Sequence, residues 1–107
     1  MIGYDQVVLV DFDGVLHDIK HPVPGRRMGP PIVGAKEGME KLKARGNKLI
    51  IFSVRASNES GKKVISNWME YYGIPFVGIT NIKVNADWIV DDRAIHFSSW
   101  EDPRLMV

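Results

Sequence analysis

The chain has 107 residues, 45% of them apolar and three of them Trp, which suffices for one domain, 1–107, around a single core. Its 14 basic and 13 acidic residues give no global pull toward nucleic acid or membrane, and the lack of cysteine excludes a disulfide scaffold, thiolate chemistry and a zinc–thiolate site. No apolar run approaches membrane-spanning length and the first residues lack the layout of a signal peptide, so a cytoplasmic protein without membrane contact is expected.

Val7, Val8, Leu9 and Val10 are four consecutive β-favouring apolar residues, the pattern of a strand buried on both faces in a parallel sheet. The run stops at Asp11 and Asp13 with one residue between them, followed by Gly14. Two carboxylates at a strand tip, about 4 Å apart at an effective dielectric near 20, repel by roughly 4 kcal/mol. Such a tip is either open to water, as in an ordinary solvated Asp/Gly turn, or holds a cation. Gly14 allows a sharp turn and the close approach of a ligand to the backbone.

Residues 18–33 contain Pro22, Pro24, Gly25, Gly29, Pro30 and Pro31, a density that excludes a helix or a central strand. A Pro/Gly-rich flap loop is expected there, overhanging the Asp-x-Asp tip, with His17 at its root and Arg26 and Arg27 near its middle. The three are either ordinary loop residues or, for the two arginines, cations that meet an anionic substrate.

Ala35, Met39 and Leu42 at spacings of four and three predict a helix that Gly46 stops. Leu49 to Phe52 repeats the buried-strand pattern and runs into Ser53-Val54-Arg55. Ser57 or Asn58 caps a second helix whose buried face is Val64, Ile65, Trp68, Met69 and Tyr72, closed by Gly73 and Pro75. Residues 76–79 read as a third strand and 86–90 as a fourth, ending at Asp91-Asp92-Arg93; 95–97 suggest a short fifth. Trp100 packs the tail onto the body, and Asp87 is a strand-start residue. The three tryptophans are expected in the core and not as a base-stacking platform.

Alternation of strand and helix implies right-handed crossovers and a parallel sheet with helices on both faces, a single Rossmann-like α/β domain of three layers. Ligands bind such sheets beyond the carboxyl ends of the strands. Parallel strands gather Asp11/Asp13, Ser53 and Asp91/Asp92 at that edge, with a nearby lysine. Carboxylates without His or Cys favour a hard cation, Mg²⁺ over Zn²⁺. The hydroxyl and the ammonium are donors for an anion, most simply phosphate. Together they suit phosphoryl transfer with one aspartate as nucleophile and a second as acid/base.

With these motifs in place, the chain resembles the haloacid dehalogenase (HAD) superfamily of aspartate-nucleophile phosphohydrolases. Asp11-Phe12-Asp13-Gly14-Val15-Leu16 matches its first motif, Ile51-Phe52-Ser53 the second, Lys83 the third and Trp88-Ile89-Val90-Asp91-Asp92 the fourth. The resemblance implies Asp11 as nucleophile and metal ligand, and Asp13 as general acid/base and a metal ligand through its backbone carbonyl. Ser53 and Lys83 would hold the phosphoryl group, with Lys62 and Lys63 as rivals of Lys83. Of the acidic pair, Asp92 would ligate Mg²⁺ directly, with Asp91 supporting it from outside the ligand set. A carboxylate at Asp13 marks the phosphatases and phosphomutases of the superfamily. Nothing in the chain is long enough for a cap domain, and capless members act on large substrates or borrow a neighbouring subunit, here a second copy of the chain, as lid.

Arg55 and Arg93 adjoin motif residues, either as structural ion pairs or as phosphate contacts. Ser53-Val54-Arg55 and Asp91-Asp92-Arg93 are also similar to the 3′-phosphatase domains of polynucleotide kinases, which would make a nucleic acid the substrate. The leading expectation is a Mg²⁺-dependent phosphomonoesterase with an aspartyl-phosphate intermediate. A receiver-like phosphoacceptor domain is disfavoured because its acidic pair, acceptor and lysine come in a different order. A regulatory or phosphate-binding protein that kept the crevice without hydrolysis is the other alternative.

Overall fold

The computed structural model describes residues 2–91, 99–101, 103 and 105. Four strands, β1 (Val7–Asp11), β2 (Lys48–Phe52), β3 (Gly78–Thr80) and β4 (Trp88–Val90), form one sheet in the order β3-β2-β1-β4, with every pair parallel. β1 is therefore interior, with β2 on one side and β4 on the other. Its Val8, Leu9 and Val10 are wholly buried, which explains why its sequence is a continuous apolar run instead of an alternation. The expected α/β domain with a parallel sheet is the fold of the protein.

Two of the three crossovers contain a helix, α1 (Ala35–Ala44) between β1 and β2 and α2 (Glu59–Tyr72) between β2 and β3. The third, 81–87, contains none. α1 buries Ala35, Gly38, Met39 and Leu42. The α2 start is capped by Asn58, whose side chain accepts the Gly61 N–H at 2.8 Å. Its end is Gly73 in the left-handed region (φ 67°), with the Gly73 N–H bonded to the Glu70 carbonyl.

The buried stripe of α2 is Ile65, Trp68 and Met69, with Tyr72 partly buried against the core. Val64, expected in that stripe, is 41% exposed. At about 100° per residue, Trp68, Tyr72, Ile65 and Met69 share one arc centred roughly 90° from Val64, which therefore lies at the margin of the face that meets the sheet.

The third strand begins two residues and ends one residue later than expected, and the fourth begins at Trp88 instead of Ala86. Asp87 does stand at the strand start: its carboxylate accepts the Val7 N–H at 2.8 Å and its own N–H donates to the Val7 carbonyl. The suggested fifth strand at 95–97 lies outside the described residues.

Trp100 is buried, and its indole N–H donates to the Val15 carbonyl at 2.9 Å. A Cβ at Gly38 would run into the Trp100 ring, so α1 needs glycine there for the indole to seat. Residues 18–33 hold no helix, as expected, and are fastened at their ends by Asp18 N–H to the Pro30 carbonyl (2.9 Å) and Ile32 N–H to the Leu16 carbonyl (2.8 Å). Among the described residues no helix is long and apolar enough to cross a membrane.

Candidate functional site

The register of the sheet sets which residues share its carboxyl edge. Val10 pairs with Val90 and Asp11 with Phe52, while Phe52 pairs with Thr80. Asp91, one residue beyond Val90, therefore stands level with Asp11 on the neighbouring strand, and adjacent strands lie about 4.8 Å apart. Ser53 follows Phe52 on the other side, where its N–H donates to the Thr80 carbonyl at 3.0 Å and the Phe12 N–H to the Phe52 carbonyl at 3.1 Å. Asp11, Ser53 and Asp91, far apart in sequence, thus converge on one edge. Asp92 and Arg93 lie outside the described residues.

Beyond β1 the chain closes one tight turn. The Phe12 carbonyl accepts the N–H groups of Leu16 and His17, both at 2.9 Å, and Gly14 N–H bonds the His17 carbonyl at 3.0 Å. Gly14 carries φ 83°, a conformation L-residues rarely adopt, and this turn is what requires it. The turn returns His17 to the side of Asp13. His17 Nδ1 lies 2.8 Å from Asp13 Oδ1, and Arg55 Nε donates to Asp13 Oδ2 at 2.9 Å. Burial pushes the Asp13 carboxyl up, but the hydrogen bonds and charge of Arg55 and His17 outweigh it and hold the group below the ordinary aspartate value of 3.8. Asp13 is therefore an ionised acceptor in this arrangement.

Ser53 is buried, and its Oγ accepts the Arg55 N–H at 3.1 Å, capping a single 3₁₀ turn, Val54–Ser57. That turn aims Arg55 back at Asp13. The hydroxyl proton of Ser53 is then the part of the group suited to donate to an anion.

The three lysines separate clearly. Lys83 Nζ stands 5.9 Å from the centre of the Phe52 ring, at the end of β2. Lys62 pairs with Glu59 at 3.7 Å, and Lys62 and Lys63 line an open groove of about 530 Å³ beside Phe76 and Ile79. Lys83 is thus the lysine associated with a residue paired to Asp11.

The flap arginines sit elsewhere. The Arg26 guanidinium lies 4.4 Å over the Tyr71 ring and donates to its hydroxyl at 2.6 Å. Arg26 and Arg27 line a groove of about 370 Å³ with Val64, Trp68 and Tyr71. The flap therefore packs along α2, where aromatic side chains offer its middle more contact than the open tip would. Arg55, offered as an ion pair or a phosphate contact, makes the ion pair.

His17 is the residue the sequence undervalued. It is 3% exposed and shared between Asp13 and the flap, where Gly29 N–H meets its Nε2 at 2.8 Å. Its one sequence signal is its position four residues past Asp13, across a glycine.

The donor set at the edge suits a hard cation. Asp11 and Asp91 are carboxylate residues level with one another on adjacent strands, and the His17 ring is occupied by Asp13 and Gly29. Among the described residues no three His, Cys, Asp or Glu side chains gather as a metal-binding group. Mg²⁺ commonly takes only one or two carboxylates and keeps several waters, so the residues present fit it.

No family model matches the chain, and no curated protein matches it. Among solved structures it aligns with a conserved protein from Bacteroides thetaiotaomicron, with a TM-score of 0.70 and 24% identity over 89% of this chain and 83% of that one. The likeness is one of fold.

Proposed function

We propose that the protein is a Mg²⁺-dependent phosphatase that hydrolyses phosphate monoesters through an aspartyl-phosphate on Asp11. The observation that carries this reading is the convergence, on one sheet edge, of Asp11, the Asp13–Arg55 pair, the Ser53 hydroxyl and Asp91. Asp11 and Asp91, with Asp92 and the Asp13 backbone carbonyl, would hold the cation. When bound, Mg²⁺ neutralises charge on the phosphoryl oxygens and brings them toward the carboxylates.

An Asp11 oxygen attacks phosphorus, the bond to the leaving oxygen breaks, and that oxygen takes a proton from the Asp13 carboxyl. A water then attacks the phosphoryl group and gives its proton to Asp13, and the acyl-phosphate bond breaks to restore Asp11. Ser53 and Lys83 donate to the non-bridging oxygens. Asp13 must carry a proton in the first step, although Arg55 holds it ionised at rest. A phosphoryl anion beside Arg55 competes for the guanidinium, and release of Arg55 lets the Asp13 carboxyl rise toward its protonated form. Arg55 is thus both the resting partner of Asp13 and a contact for the incoming phosphate. The proposed compartment, the cytoplasm, rests on the sequence argument.

The test is hydrolysis of an aryl phosphate with and without Mg²⁺. The expected result is Mg²⁺-dependent turnover that falls by at least about a thousandfold in Asp11→Asn. Unchanged turnover in that variant would sink the mechanism. Mg²⁺ binding with no turnover of any phosphate ester would point instead to a phosphate-binding or regulatory protein.

A further inference from the structure

We infer that His17 is a positioning residue that clamps Asp13 by its Oδ1 and so fixes the direction in which Oδ2 faces an incoming substrate. The inference rests on the phosphatase reading for its role in turnover, but its geometry stands independently.

The tautomer of His17 follows from the flap. A backbone N–H can only donate, so the 2.8 Å contact from Gly29 N–H makes Nε2 an acceptor without a proton. The neutral ring then carries its proton on Nδ1, which donates to Asp13 Oδ1 at 2.8 Å. Ring rotation is blocked on two sides. Phe12 stacks on the imidazole at 5.2 Å, and the Trp68 ring meets it edge-on at 5.7 Å.

Gly29 is itself held fast. Its carbonyl accepts the Trp68 indole N–H at 2.9 Å, and any Cβ there would collide with the Asp18 carbonyl. The flap root, the imidazole and the acid/base carboxylate form one chain of hydrogen bonds, Gly29 to His17 to Asp13.

The two Asp13 oxygens therefore differ. Oδ1 faces a buried, locked donor; Oδ2 faces Arg55, whose side chain is 40% exposed. An arriving anion can draw Arg55 away but cannot reach His17 to do the same. Only Oδ2 can exchange its partner for substrate while Oδ1 stays held.

Two measurements on the intact chain test this. In ¹⁵N-histidine-labelled wild type at neutral pH, the His17 shifts should show a protonated Nδ1 and an unprotonated Nε2. An Nε2–H tautomer overturns the proposal. In kinetics on an aryl phosphate with Mg²⁺, His17→Ala should lower kcat between about tenfold and a hundredfold, less than the roughly 10²–10⁴-fold that a general acid–base group supplies, with KM within about threefold.

His17→Asn places an amide N–H near the Nδ1 position but cannot reach Gly29. It should recover about tenfold in kcat over alanine while the Gly29 amide loses its hydrogen-exchange protection, a split that a purely structural role would not give. Wild-type kcat in His17→Ala, or equal kcat losses in the two variants, overturns the positioning role. If His17→Ala does not fold, the wild-type tautomer and His17→Asn decide. Absence of Mg²⁺-dependent turnover in the wild type overturns the phosphatase reading and the catalytic role together, whereas a loss confined to the variants leaves that reading intact.

Discussion

At Asp13 burial and two hydrogen-bonded partners act in opposite directions, and the partners win. The folded carboxyl lies below its unfolded value of 3.8, so its contribution to stability is present above that pH and is lost as pH falls through the depressed folded value. Asp13→Asn should therefore flatten the acid limb of a stability-against-pH curve below about pH 4, as measured by urea unfolding at stepped pH. Arg55→Ala removes one of the two donors and should move the Asp13 carboxyl upward, read from ¹³C carboxyl shifts. An unmoved titration would mean that the 2.9 Å pair does not persist in solution.

The start of α2 is where local sequence and tertiary contact meet. Asn58 supplies a cap of the ordinary kind, and Asn58→Ala should cost about 1 kcal/mol in urea unfolding. Gly61, three residues on, faces the Arg55 carbonyl so closely that a Cβ would collide with backbone. Its glycine is required because the 3₁₀ turn that aims Arg55 packs against the first turn of the helix. In an open helix Gly→Ala would gain up to about 1 kcal/mol, whereas here Gly61→Ala should destabilise, by about 1–3 kcal/mol. It should also disturb the Arg55–Asp13 pair, which Asn58→Ala would leave in place.

For the whole molecule, the proposed function implies that carboxylates gathered at one sheet edge would be stabilised by a bound cation. A ligand at a hundred times its Kd stabilises by about 2.7 kcal/mol, which in a domain of this size is a rise in Tm on the order of 10 °C or more. Mg²⁺ should therefore raise Tm, and by less in Asp92→Ala. An equal increment in that variant would remove Asp92 from the ligand set. The register that sets Asp91 level with Asp11 makes Asp91→Ala the companion measurement.

The sequence alone determined the elements and the edge. Continuous apolar runs marked the two interior strands, β1, which is buried on both faces, and β2, and polar residues straight after those runs marked the carboxyl ends. Short-range chemistry also narrowed the α2 cap to Ser57 or Asn58, of which the structure selects Asn58, and located the Gly73 stop. It could not locate what depends on backbone direction and on neighbours distant in sequence. Val64 reads as core by residue type but lies outside the buried stripe, and β3 and β4, only three residues each, carry too little pattern to set their limits. Arg26 is a loop cation in sequence, and only the folded flap shows it over Tyr71. His17 looked incidental because its meaning lies in Gly29, twelve residues away, and in Phe12 and Trp68 on either side of its ring. Hydrogen bonds have direction and packing is long-range, so the partners of Asp13 were decided by tertiary structure, while its presence at the strand tip was written in the chain.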